Sequence, residues 1–265
     1  MQPSITQPTP RHAVALMYHA LARRKAVPGQ DPHYTLEESR FREQLAQVAA
    51  IGGACSARDW LQDGQRRPVL LTFDDGHASN HHVAFPALVE HGMHADFFVN
   101  PANVGKPGFA RWADLREMSA SGMSIQSHGY DHVYLTSLDA KTLRERLHAA
   151  RTTIEDAVGA AVTLLAPPGG RMPADLVTVA RQCGYRQVLS SRPGRLSASH
   201  DAAILPRLAI TAALDAQRFR AWVAGSTTAI LREQLRYGSL ALAKGVLGDS
   251  RYERARMLAL AGRRS

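Results

Sequence analysis

The chain has 265 residues, a hydrophobic fraction of 45%, a charged fraction of 21% and a formal net charge of +9. That length supports one sizeable core or two small ones, and the balance excludes a wholly disordered or collagen-like chain. Two cysteines, Cys55 and Cys183, exclude a disulfide framework, and no stretch reaches the ~20 continuous apolar residues of a membrane span.

In chain order, residues 1–11 are polar, carry three prolines and lack the charged-then-apolar pattern of an export signal, so a cytoplasmic location is expected. Residues 13–18 (AVALMY) read as a buried strand. Residues 36–51 carry helical periodicity through Phe41, Leu45, Val48 and Ile51, and Gly52-Gly53 stops it. Residues 68–73 are a second buried strand ending at Asp74-Asp75-Gly76, residues 82–92 a helix, and residues 95–99 a third strand. A helix over 112–121 and a fourth strand over 123–127 follow.

Ser137 opens a long helix with Leu143, Leu147, Ile154 and Val158 on one face. Residues 162–166 are a fifth strand ending in Pro167-Pro168-Gly169-Gly170; a helix over 173–183, a sixth strand over 187–190 and a last strand within 204–210 come next. Helices over 215–223 and 230–247 complete the reading. Strand and helix alternate about seven times, which places a parallel sheet inside a layer of helices. The expected fold is α/β, a closed or nearly closed parallel barrel of about seven strands spanning residues 12–228, with a basic helical extension at 229–265. In such barrels the chemistry sits at the C-terminal ends of the strands. The polar residues gather at those ends: His19, Asp74-Asp75, His128 and the Pro-Pro-Gly-Gly turn.

Thr72-Phe73-Asp74-Asp75-Gly76 puts two adjacent carboxylates on the turn after a buried strand. Alone, this is an ordinary Asp-Gly turn. Two acids there repel each other unless a cation or donor compensates, and they leave the strand in different directions, so one can ligate a metal while the other takes a proton. In Ser127-His128-Gly129-Tyr130-Asp131-His132 the histidines are four apart, so one helical turn would put both rings on one face. A lone pair of this spacing is more often structural. With Asp75 the set becomes two histidines and an aspartate, the protein share of a hydrolytic zinc site.

The pairing of TFDDG with SHxxDH and then a Pro-Gly strand end resembles the polysaccharide deacetylase (NodB-like) superfamily, the fourth carbohydrate esterase family. The likeness runs over roughly residues 13–210. It implies a distorted β/α barrel that removes acetyl groups from N-acetylated amino sugars of a polysaccharide, oligosaccharide or glycolipid. On that resemblance Asp74 is the general base and Asp75, His128 and His132 hold one divalent cation, zinc first and other first-row transition metals second. Pro168, Gly169 and Gly170 would shape the substrate groove and supply an oxyanion donor.

Two departures accompany the resemblance. The family's base-tethering arginine falls at Ala166 here, which leaves Arg171 or Arg207 as its replacement. The family's late catalytic histidine has only His200 as a counterpart. Met17-Tyr18-His19, followed by Phe41, Leu45 and the glycine pair, resembles instead the circularly permuted poly-N-acetylglucosamine deacetylases, which makes His19 the general acid. His77, directly after the acid turn, could line the groove, while His81, His82, His91 and His94 read mostly as a solvated helix face. Trp112 and Tyr130 are sugar-stacking candidates, with Trp112 placed in the core first. Hydrolysis of other non-peptide amides, or a carbohydrate-binding pseudoenzyme, are the competing readings.

Residues 230–265 hold eight Lys or Arg against three acids, which is +5 of the +9. Nucleic-acid binding needs a basic face with stacking aromatics, and this segment offers only Tyr237 and Tyr252, so no nucleic-acid partner is expected. Nor is an obligate protein partner. Over 230–264 apolar residues alternate with Arg232, Arg236 and Lys244, a pattern open to two readings. Packing of the apolar side on the barrel comes first, and peripheral contact with an anionic membrane at its cytoplasmic face second.

Overall fold

Strand β1 (His12–Tyr18) is followed by two short strands, β2 (Leu21–Ala22) and β3 (Leu36–Glu37), then helix α1 (Glu38–Ala50), β4 (Ala54–Cys55) and α2 (Ala57–Gln62). Strand β5 (Val69–Phe73) leads through a π-helix (Asn80–Ala84) into α3 (Phe85–Glu90) and β6 (Asp96–Val99). Helix α4 (Trp112–Ala120), β7 (Ser124–Ser127), α5 (Ala140–Val158), β8 (Leu164–Leu165), α6 (Leu176–Gln182) and β9 (Gln187–Leu189) continue the alternation. Three two-residue strands, β10 (Leu196–Ser197), β11 (Ile204–Leu205) and β12 (Leu208–Ala209), precede α7 (Ala216–Val223) and α8 (Thr227–Leu247). This computed structural model describes residues 12–23, 30–62, 67–197 and 202–247. Expectations that fall on residues 1–11, His200 and residues 248–265 lie outside the described residues.

Strands β1, β5, β6, β7, β8 and β9 pair in that order, all parallel. β11 then pairs with β9 and β12 with β1, also in parallel. Only Pro206 and Arg207 separate β11 from β12, so residues 204–209 form one broken stave that links the last strand to the first. The result is a distorted seven-staved barrel. The single strand expected within 204–210 is split because Pro206 cannot donate to a ladder. β10 pairs antiparallel with the first residues of β1, beside β12 on the same edge.

Side chains alternate across each strand with a period of two. Val14, Leu16, Tyr18, Leu71, Phe73, Phe97 and Ile125 face outward and meet Phe41, Leu45, Leu88, Leu115 and Leu147 from the helices. Ala13, Ala15, Leu70, Phe98, Leu164, Ala166, Leu189 and Leu205 fill the inside, joined by Trp60 from α2. Cys55 and Cys183 are buried thiols outside any disulfide, as expected of small core residues. On β5 and β6 the inward positions above this layer turn polar, at Thr72, Asp74 and Asn100, all buried.

Several element ends have local causes. Asp139 caps α5 by accepting from the Lys141 and Thr142 backbone N–H groups at 2.9 Å each, and Gly159 ends it at φ 70. The helix expected over 82–92 begins instead as the π-helix, where Pro86 has no N–H to return to the preceding turn. α8 starts at Thr227 and runs unbroken across residues 228 and 229, anchored by buried Ile230 and Glu233. Among the described residues no helix is long and apolar enough to cross a membrane.

Candidate active site

The Asp74 backbone N–H donates to Tyr18 O at 2.9 Å, which carries the β1–β5 ladder one residue past the strand. The chain then turns sharply, with Asp75 at φ 72 and Gly76 at φ 71. A Cβ at Gly76 would stand 3.0 Å from Val99 Cγ1, so both the turn and the close approach require glycine. The turn sends the two carboxylates to different partners. Asp74 points into the barrel and Asp75 towards the loop after β7.

Arg207, fully buried at the break between β11 and β12, grips Asp74 bidentately at 2.7 and 2.8 Å. The same guanidinium donates to Ser190 O at 3.1 Å and Thr72 Oγ1 at 3.2 Å, and lies over the Phe98 ring. Burial pushes the Asp74 carboxyl up, but Arg207, His128 and His19 outweigh it and hold it below the ordinary range. Of the two arginines considered from the sequence, only Arg207 meets the acid. Arg171 sits with its guanidinium 4.3 Å from the centre of the Tyr134 ring, a correction to its role as an orienting residue.

His128 follows β7 and is 2% exposed. Its Nδ1 bonds Ala166 O at 2.8 Å, which fixes the ring and turns Nε2 to the site. The His128 and His132 Nε2 atoms lie 3.2 and 3.1 Å from Asp75 Oδ1. One ligand atom from each of the three residues falls within 4.8 Å of the others. Two imidazoles and a carboxylate converging in this way fit a divalent first-row cation. Contrary to expectation, no helical turn joins the histidines. An irregular loop does so, through positive φ at Gly129 (75) and His132 (63). Burial pushes Asp75 up, but hydrogen bonds from His128, His132 and His77 hold it well below the ordinary carboxylate range. The hydrogen bond to Asp75 raises His132.

His19 lies directly past β1, stacked on Tyr34 with ring centres 4.5 Å apart. Its Nδ1 is buried without a hydrogen-bond partner. Burial lowers its pKa, against the opposing pull of Asp75 and Asp74. His77 places Nε2 3.3 Å from Asp75 Oδ2. Of the other early histidines, His82 and His94 are exposed, with His94 beside Asp59 at 3.3 Å, while His81 and His91 are half-buried, with His81 beside Glu117 at 2.9 Å. Trp112 packs partly buried against the core, and Tyr130 has Arg146 over its ring.

Pro168, Gly169 and Gly170 form a short turn after β8, the two glycines at φ 61 and 67. A Cβ at Gly169 would reach Tyr134 at 2.6 Å, and one at Gly170 would reach Ser191 Oγ at 2.6 Å. The Gly170 N–H is spent on Pro167 O at 2.9 Å, and Pro168 has none. Of the three residues, Gly169 is therefore the one left to offer a backbone donor.

Sequence reasoning missed two buried asparagines. Asn80 Nδ2 donates to His19 O at 2.8 Å, and Asn100 Nδ2 donates to His128 O. Each holds the backbone of a site histidine, and each keeps a buried Oδ1 without a partner. Asn100 was findable as a polar residue at a strand end. Asn80 carries no such signal, because the π-helix places it. Arg146 of α5 also clamps Asp131 in the histidine loop.

Comparison with known proteins finds relatives of this chain. Residues 62–188 match the family model described as Polysaccharide deacetylase. The YxkH protein of Bacillus subtilis (strain 168) is 26% identical over 155 residues, 58% of this chain and 56% of that protein. A chitin deacetylase of Pestalotiopsis sp is 28% identical over 160 residues, 60% of this chain and 50% of that protein. The chain thus spans about half the length of the curated relatives it matches. The fold of the Streptococcus pyogenes deacetylase PplD, solved in complex with acetate, superposes with a TM-score of 0.69 at 22% identity, over 78% of this chain and 96% of that one. Residues 62–188 thus resemble a polysaccharide deacetylase domain, and the chain shares the fold of that solved structure.

Proposed function

We propose that the chain is a polysaccharide deacetylase of the NodB-like kind, a metal-dependent hydrolase that removes acetyl groups from N-acetylated amino sugars of a polysaccharide, oligosaccharide or glycolipid. One observation carries the reading. A carboxylate held ionised by a buried arginine stands next to a carboxylate–histidine–histidine cluster, at the same strand ends of one barrel.

Asp75, His128 and His132 would hold the cation, zinc being the best fit to this nitrogen and oxygen donor set. The chemistry such a cation supplies when bound is Lewis acidity towards the acetyl carbonyl and a more acidic water. Asp74 accepts the proton of the attacking water. Arg207 occupies one lone pair on each Asp74 oxygen, which fixes the carboxylate plane and leaves the remaining lone pairs for that proton. The Gly169 N–H, the donor this turn leaves unspent, would serve the oxyanion that develops on the acetyl group. His19 donates a proton to the departing amine, in the role that the permuted poly-N-acetylglucosamine deacetylases imply for a first-strand histidine. An amine leaves poorly unprotonated, so the amide reaction depends on this step.

The test is acetate release from a panel of N-acetylhexosamine oligomers by chelator-stripped and zinc-reloaded protein. Release that requires the metal supports the reading. No release from any member by metal-loaded protein overturns it.

A further inference from the structure

Asp75 has two oxygens, and they meet different neighbours. Oδ1 faces His128 and His132, at 3.2 and 3.1 Å. Oδ2 faces His77 Nε2 at 3.3 Å. The ligand atoms that fall within 4.8 Å of one another come from Asp75, His128 and His132, and His77 is not in that set. His77 therefore touches the cluster from outside, through the oxygen the cluster does not use.

The ring is fixed in that place. His77 is 8% exposed and lies parallel to the Phe109 ring, with centres 5.5 Å apart and planes at 13°. Its backbone bridges antiparallel to Phe109. Ala78 N donates to Gly108 O at 2.9 Å and Ala110 N to Gly76 O at 3.0 Å, on either side of it. The loop that carries Phe109 is thus tied to the acid turn at the residue next to Gly76.

We infer that His77 is a positioning residue for the cation site: it holds Asp75 Oδ2 through its ring N–H, so that Oδ1 alone is presented beside His128 and His132. The inference rests on the metal-dependent reading above. The physical effect is on the carboxylate's freedom. An Asp75 without this partner can rotate to offer both oxygens to the cation or neither. With it, the group enters as a single-oxygen ligand and leaves coordination space for water and substrate. Asp75 sits at φ 72, a conformation costly for a non-glycine residue, so an outside hold on its side chain also helps keep the turn in place. Groups that hold a metal ligand from behind typically change metal affinity ~10–100-fold when removed.

Zinc affinity, measured by competition with a chromogenic chelator on the stripped full chain, tests this without reference to turnover. His77→Phe keeps the stack on Phe109 but cannot donate, and should bind zinc ~10–100-fold more weakly. His77→Asn should bind equally weakly, because its amide falls short of Asp75. His77→Gln, whose longer amide reaches the same oxygen, should stay within ~3-fold of wild type. Unchanged affinity in both the Phe and Asn variants overturns the inference while leaving the metal site standing. Equal loss in Gln and Phe variants that melt like wild type also overturns it, because His77 would then be a ligand itself. Failure of the wild type to bind zinc overturns the metal reading and the inference together.

Discussion

Arg207 and Asp74 stand 133 residues apart in the chain and share two hydrogen bonds of 2.7 and 2.8 Å, with neither side chain more than 3% exposed. Removing one partner of such a pair strands the other as a buried charge, at a cost of about 3–5 kcal/mol. Arg207→Ala should therefore lower the urea stability by that order. Arg207→Met combined with Asp74→Asn should recover part of the loss, because both charges leave together. A double variant no more stable than Arg207→Ala would show that the pair is not what holds this end of the barrel.

Asp74→Asn should retain zinc but lose ~100-fold or more in turnover, the usual scale for a general base. Steady-state kinetics and metal content on the same preparation check this. Full activity would mean that the roles of the two acids are exchanged.

His19→Ala should slow hydrolysis of the N-acetyl amide far more than that of an activated acetyl ester, whose leaving group needs no proton. An equal loss on both substrates would make His19 a packing residue on Tyr34.

Asp96 gives a pH signature away from the site. It is fully buried and accepts from the Ala57 and Arg58 backbone N–H groups at 2.5 and 3.4 Å; burial raises its pKa to about 6. The native state then binds more protons than the unfolded chain between about pH 4 and 6. This group's contribution to stability rises as pH falls through that window, by at most on the order of 3 kcal/mol. Relative to Asp96→Asn, wild type should gain stability from pH 7 to pH 4, read by urea melts. A constant difference between the two proteins would contradict the raised pKa.

Helix α8 leaves Leu231 and Leu235 exposed at 51% and 74%, next to exposed Arg232 and Arg236, although Ile230 and Glu233 are buried. We propose that this face touches anionic membranes. Co-sedimentation with phosphatidylserine vesicles at low salt should occur for the full chain and fall in Leu231→Asp/Leu235→Asp. No binding by the wild type would leave α8 as a packed helix with a solvated side.

The sequence by itself determined the order of the main strands and helices, the strand-end position of Asp74, Asp75, His128 and the Pro-Gly turn, and the residue types of the candidate ligand set; β2, β3, β4, β10 and α2, each of six residues or fewer, were not legible in it. Those features are local. Apolar runs, glycine stops and motif spacing are written in consecutive residues, and a parallel barrel gathers its strand ends at one rim. The choice of Arg207 over Arg171 was not legible, because it depends on residues 204–209 bridging β9 to β1 and breaking at Pro206. The loop that joins His128 to His132 and the π-helix that places Asn80 against His19 were hidden for the same reason. Each is set by a backbone conformation that pays off only through a partner distant in sequence. The contact between His77 and Asp75 belongs with them: the two are neighbours in the chain, but the loop carrying Phe109 decides which way the ring faces.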